Sequence, residues 1–133
     1  MLDHVGIKVK SVVRAKAFYD AALPPLGMVV QYDFVPPNPP KRRVVGYGAS
    51  IDKVCLWVGT SVGVPTKLSG PVHICLAAKS RKMVRDFYAA ALAAGGKSNG
   101  APGLRLEYTP TYYAAFVVDP DGNNIEAVCH RAK

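Results

Sequence analysis

Two histidines and a glutamate carry the most pointed chemistry in this chain: His4, His73 and Glu126. Two imidazoles and a carboxylate suit a divalent ion (Fe, Mn, Ni, Co or Zn) and leave coordination positions open for water or substrate. A cation so held takes substrate oxygens and stabilises a developing enolate or oxyanion. No local spacing motif joins the three residues, because they span nearly the whole chain; the surrounding elements must bring them together. A plainer alternative also stands, with His4 as a hydrogen-bonded residue at a strand start and Glu126 paired with a lysine.

The elements come in two copies. DHVGIKVKSVVRAKAFYDAAL (3–23) returns as VHICLAAKSRKMVRDFYAAAL (72–92). At a constant offset of 69 residues, His4 falls on His73, Lys10 on Lys79, Ser11 on Ser80, Phe18 on Phe87, Tyr19 on Tyr88 and Gly27 on Gly96, without a gap. Such self-similarity signals a repeated supersecondary unit. The chain therefore reads as one domain of two modules, about 1–68 and 69–133.

Each copy opens with alternating apolar residues, Val5, Ile7 and Val9 or Val72, Ile74 and Leu76, as half-buried strands do. Ser11 and Ser80 stand where an N-cap hydroxyl is wanted. The helices are expected to bury Val13, Ala17, Phe18 and Ala21 in one copy and Val84, Phe87, Ala91 and Leu92 in the other. Pro24-Pro25 ends the first helix and Gly95-Gly96 the second. Further strands are expected at 28–34, 43–47 and 53–58, and at 105–108, 112–118 and 124–129. DPDGNN (119–124) is a turn between the last two, and PPNPP (36–40) is a stiff loop. The result is α+β: βαβββ twice, two half-barrels.

Strand alternation then assigns faces. His4 and Gly6, His73 and Cys75, and Asn124, Glu126 and Val128 should point away from the helices, into a concave surface. Cys55 and Trp57 should do the same. The offset of 69 sets Trp57 against Glu126, so a pseudo-two-fold axis would gather His4, Trp57, His73 and Glu126 at one centre.

Composition narrows the partners. Of 133 residues, 17 are Lys or Arg and 9 are Asp or Glu, for a net charge of +8; this favours anionic small substrates through a long-range field. Basic residues are scattered and no nucleic-acid motif interleaves them with aromatics, so nucleic acid is not an expected partner. No apolar run approaches the roughly 20 residues of a spanning helix, and no signal-peptide pattern is visible, so a cytoplasmic protein without a membrane partner is expected. The three cysteines sit in apolar runs and read as reduced, packed thiols.

LDHVGIKV followed by AKAFYDAAL, HICLAA with VRDFYAAAL, and FVVDPDGNNIEAV resemble the vicinal oxygen chelate superfamily over essentially the whole chain. That superfamily holds glyoxalase I, bleomycin-resistance proteins, fosfomycin-resistance enzymes and extradiol dioxygenases. The resemblance implies paired βαβββ modules in a half-open, glyoxalase-like barrel, commonly in a homodimer. It implies metal ligands at His4, His73 and Glu126, and a lyase, isomerase or dioxygenase acting on a small substrate that chelates the metal through oxygens. Glyoxalase I itself is disfavoured, since that pattern expects a fourth carboxylate where Trp57 stands. The alternative implied is a metal-free, bleomycin-resistance-type binding protein.

Tyr47, Trp57, Arg105, Tyr108, Tyr112 and Tyr113 are the candidate substrate-pocket residues, with Arg42 and Arg43 beside them. They would supply donors to a carboxylate or carbonyl and aromatic walls to an apolar body. No general base is evident, because Glu126 is spent as a ligand, and a tyrosine or a metal-bound hydroxide would have to serve.

Overall fold

The structure is a computed structural model that describes residues 1–37, 42–60 and 71–132. The module junction at 68–69 and residues 38–40 of the proline-rich loop lie outside the described residues. Module one runs β1 (Val5–Lys8), α1 (Val12–Ala22), a 3-10 turn (Pro24–Leu26), β2 (Val29–Phe34), β3 (Val44–Gly48) and β4 (Val54–Gly59). Module two runs β5 (His73–Ala77), α2 (Arg81–Ala93), β6 (Lys97–Leu104), β7 (Tyr113–Val118) and β8 (Asn124–Cys129). This is the duplicated βαβββ plan. Each module forms one four-stranded mixed sheet, ordered β1-β4-β3-β2 and β5-β8-β7-β6, and neither closes into a barrel.

Local chemistry explains the elements. The Ser11 and Ser80 hydroxyls accept from the backbone N–H of Arg14 and Met83, capping helical donors that would otherwise lack a partner. After α1 the two prolines enter a 3-10 turn closed by Gly27 at φ 77°, a left-handed conformation that glycine adopts freely. In both modules the first strand runs parallel to the last, Val5 facing Leu56 and Ile74 facing Ile125.

One core joins the modules. Phe18 and Tyr19 of α1, Val45 and Tyr47 of β3, Phe87 and Ala91 of α2, and Val117, Ile125 and Ala127 of the second sheet are all buried in it. The two helices touch each other. This shared packing leaves the opposite, helix-free face of each sheet open.

Two local expectations change. In α1 the buried stripe is Val12, Ala15, Phe18, Tyr19 and Ala22, whereas Val13, Ala17 and Ala21 are exposed. Both stripes obey helical spacing; the tie from Tyr19 to Asp119 in module two selects the observed one. In α2, Val84, Phe87 and Ala91 are buried as expected, and Leu92 is partly so. The strand expected at 105–108 is a turn, and β6 lies earlier, through Gly100, Pro102 and Gly103. An edge strand accommodates such residues because its ladder is one-sided, and the pairing with β7 is broken by irregularities on both sides of Gly100.

Candidate functional site

The open face of the second sheet holds a polar cluster. Cys75 stands in register with Glu126 on β8, and Glu126 with Phe116 on β7. Two residues along β5, His73 leans diagonally so that its Nε2 lies 2.8 Å from Glu126 Oε2. The Tyr112 hydroxyl donates to the other oxygen, Oε1, at 2.6 Å. Glu126 is 2% exposed whereas the His73 side chain is 54% exposed, so a buried carboxylate is reached through a solvent-facing imidazole.

This carboxylate shapes its neighbours. Burial, and then the hydrogen bond to Glu126, raises the Tyr112 hydroxyl above the ordinary phenol range. Burial, and then the Glu126 charge, pushes the Cys75 thiol up to about 12. Both groups therefore stay protonated at neutral pH and act as donors. A neutral thiol is also a poor nucleophile.

The loop 105–112 completes the cluster. It is pinched shut by the Arg105 backbone N–H donating to the Tyr112 carbonyl at 2.8 Å. Tyr112 stacks edge-on against Tyr108 and His130, at centroid distances of 5.0 and 5.1 Å. The Arg105 guanidinium lies over the Phe116 ring at 5.5 Å, and that ring is 6.3 Å from His73. Strand alternation sets Glu126 on the open face, but nothing local in the sequence shows that this loop folds onto the carboxylate.

Other candidates stand elsewhere. His4 is on the first module, its Nδ1 2.7 Å from Asp3 Oδ1, and it has no hydrogen bond to His73 or Glu126. Trp57 lies flat over Gly46 and stacks with Tyr32 at 5.5 Å on the open face of the first sheet. The four positions expected at one centre are thus divided, with His73 and Glu126 paired and His4 and Trp57 on the other sheet. Tyr47 and Tyr113 lie away from the Glu126 cluster, Tyr47 lining a separate cavity with Tyr19, Asp20 and Met28. Tyr47 is fully buried on the helix side of β3, its hydroxyl donating to Asp20 at 3.0 Å. Tyr113 packs against the core with Arg81 over its ring at 5.0 Å. Alternation puts 112 and 113 on opposite faces, and Tyr112 holds the open one. Tyr108 is 60% exposed at the loop tip.

Between the modules lies a cavity of about 310 Å³ lined by His4, Leu26, Met28, Cys55, Cys75 and Leu76, among others. His4 and Cys75 share it, so the seam brings the first-strand histidine near the second sheet without joining it to Glu126.

The His73–Glu126 pair can be tested against a divalent ion. Two donors, each about 2.1 Å from one cation and at right angles to each other, lie about 3 Å apart. The observed 2.8 Å is a direct hydrogen-bond distance that a cation held at right angles would widen only slightly, and Tyr112 on Oε1 leaves Oε2 as the single donor oxygen. The pair fits as two ligands of a larger set. Among the described residues no group of three or more His, Cys, Asp or Glu side chains is disposed to hold a metal.

A family model described as the Glyoxalase/Bleomycin resistance protein/Dioxygenase superfamily matches residues 1–127. A glyoxalase/bleomycin resistance protein from Albidiferax ferrireducens T118 is 30% identical, with a TM-score of 0.73 over 97% of this chain and 98% of that one. Glyoxalase I from Zea mays is 26% identical with a TM-score of 0.73; the match covers 96% of this chain and 45% of that one, so this chain spans under half of the maize enzyme. The Leishmania major glyoxalase I, at 24% identity and a TM-score of 0.64 over 98% and 86%, shares the fold. No curated protein matches in sequence. No helix among the described residues is long and apolar enough to cross a membrane.

Proposed function

The chain belongs to the Glyoxalase/Bleomycin resistance protein/Dioxygenase superfamily, and from that premise we propose that it is a metal-dependent enzyme acting on a small molecule that chelates the metal through oxygens. His73 and Glu126 are two of the ligands, and the observation that carries this reading is their 2.8 Å juxtaposition around a buried carboxylate. When bound, a divalent cation supplies Lewis acidity to a substrate carbonyl or enolate oxygen.

The chain's own residues do the rest. Tyr112 holds Glu126 by Oε1 and orients Oε2 toward His73. Its hydroxyl stays protonated, so it serves as a hydrogen-bond donor or acid rather than as a resting base. Phe116 and Tyr108 flank the cluster with apolar surface. Lyase, isomerase and dioxygenase chemistry all remain open to such a centre. Glyoxalase I activity is disfavoured, because Trp57 occupies the position of the fourth ligand.

The third ligand is His4 of a second copy. Within one chain His4 is turned to Asp3, whereas the open face of the first sheet presents Trp57 with Tyr32 and Phe34, which are 37% and 45% exposed. Exposed apolar surface of this kind marks an association site, and a homodimer that covers it can bring His4 to another chain's His73 and Glu126.

Metal analysis tests the proposal directly. Protein purified without a histidine tag and equilibrated with Mn, Fe, Ni or Zn should hold about one ion per chain, and His73→Ala should lose it. Less than ~0.2 ion per chain under every condition overturns the metal reading. It would favour instead a metal-free binding protein, which the stacked Tyr32–Trp57 shelf over Gly46 independently suits.

A further inference from the structure

The same row of residues that carries Glu126 continues to the guanidinium of Arg105. Across the second sheet, Cys75, Glu126, Phe116 and Gly100 stand in register on β5, β8, β7 and β6. Arg105 lies on the far end of this row. Its Nη2 donates to the Ala101 carbonyl at 2.7 Å, its guanidinium sits over Phe116, and side-chain carbons at Gly100 or Gly103 would come within 3.2 Å of its nitrogens. The two glycines thus let the guanidinium lie close along the backbone, partly buried and held in place. It takes part in no ion pair among the described residues.

A pre-set guanidinium with no carboxylate of its own is a receptor for one. Glu126 lies two strands away from Gly100, roughly 10 Å at the usual strand spacing, and His73 lies on the other side of the intervening Phe116 ring. We infer that Arg105 is the specificity-determining residue of this site and that the substrate is a small monoanionic carboxylate. Its carboxylate is gripped by Arg105, its body crosses Phe116, and a carbonyl or hydroxyl oxygen a few bonds away reaches His73 and Glu126. One guanidinium, with its planar fork, matches one carboxylate, so a carboxylate monoanion is the class of ligand it takes. The inference rests on the proposed reading that this face receives the substrate, but it can fail separately from it.

Benzoate and its neutral counterpart benzamide are the probes, titrated into metal-stripped protein by calorimetry and by amide shifts. Wild type should bind benzoate more tightly than benzamide, with shifts at Gly100, Gly103 and Phe116. Arg105→Gln should weaken benzoate at least about 10-fold and leave benzamide unchanged, while Arg105→Lys should recover only part, since a point charge lacks the planar fork. Lys82→Gln removes the same charge on the exposed face of α2, where Lys82 pairs with Asp86. If it weakens benzoate as much as Arg105→Gln does, the effect is the general field of a basic protein and the inference falls. Equal binding of benzoate and benzamide by wild type, or no loss in Arg105→Gln, also overturns it. Metal content of Arg105→Gln reports on the His73–Glu126 reading alone and should equal wild type.

Discussion

The Tyr19 hydroxyl of α1 donates to Asp119 Oδ2 at 2.5 Å, joining residues one hundred positions apart and both fully or almost fully buried. Asp119 also accepts from the Asn123 side chain and from the backbone N–H groups of Asp121 and Asn123. The turn before β8 is therefore built around one carboxylate, and Tyr19 locks that turn to the first helix. This tie, with the contact between the two helices, joins the modules on their helical side and leaves the faces carrying Trp57 and Glu126 open.

Tyr19→Phe should consequently destabilise the whole chain. A buried bond to a charged acceptor contributes about 1.5–3 kcal/mol, and here the other donors to Asp119 remain, so a loss near about 1.5 kcal/mol is expected. Urea unfolding with an unchanged slope and a lower midpoint would bear this out. An unchanged midpoint would show that this bond contributes nothing to holding the modules together.

Gly46→Ala probes the shelf on the first sheet. A side-chain carbon there would approach the Trp57 ring to 2.8 Å, so the ring must move off its stack with Tyr32. Overpacking of this kind costs about 1–3 kcal/mol. Trp57 is the sole tryptophan, so a changed emission maximum reports its displacement without ambiguity; identical emission would contradict the packing described.

Cys75 should alkylate slowly. Its thiol is pushed up to about 12, so at pH 8 it holds far less thiolate than an ordinary cysteine, and the iodoacetamide rate should keep rising as pH climbs beyond 10. Burial is the larger cause and the Glu126 charge the next, so Glu126→Gln should speed the reaction at pH 8 without restoring an ordinary rate. Mass spectrometry of the Cys75 peptide over a pH series measures this. A rate that levels off near pH 9 would refute the assignment.

Tyr112→Phe removes the donor that holds Glu126 by Oε1. Groups that orient a metal ligand typically change affinity 10- to 100-fold, so a weakening of about that size is expected for the ion proposed at His73 and Glu126. Isothermal titration with Mn or Zn gives the number. Equal affinity in the two proteins would mean that Tyr112 does not orient the ligand.

Phe34→Lys should shift the proposed dimer toward monomer. Phe34 is 45% exposed on the open face of the first sheet, so the change leaves the core intact while placing a charge in the contact. Sedimentation velocity distinguishes the two species. A wild-type protein that sediments as a monomer at all concentrations would remove the second copy, and with it the third ligand from His4.

Much of this molecule is legible in its sequence, and the reason is periodicity. The offset of 69 exposed the duplication, the serines marked both helix starts, and strand alternation alone placed Glu126 and His73 on the helix-free side while Ile125 and Ala127 faced the core. These are short-range properties, set by backbone geometry and by the demand to bury apolar atoms. Alternation says which face a side chain takes, but not which sheet edges approach one another. Tertiary packing decided that the buried stripe of α1 includes Tyr19 and that Tyr47 and Tyr113 turn inward. It also folded the loop 105–112 so that Tyr112 meets Glu126 and Arg105 meets Phe116. Those contacts are bought with buried surface and hydrogen bonds between distant segments, which no window of the sequence contains.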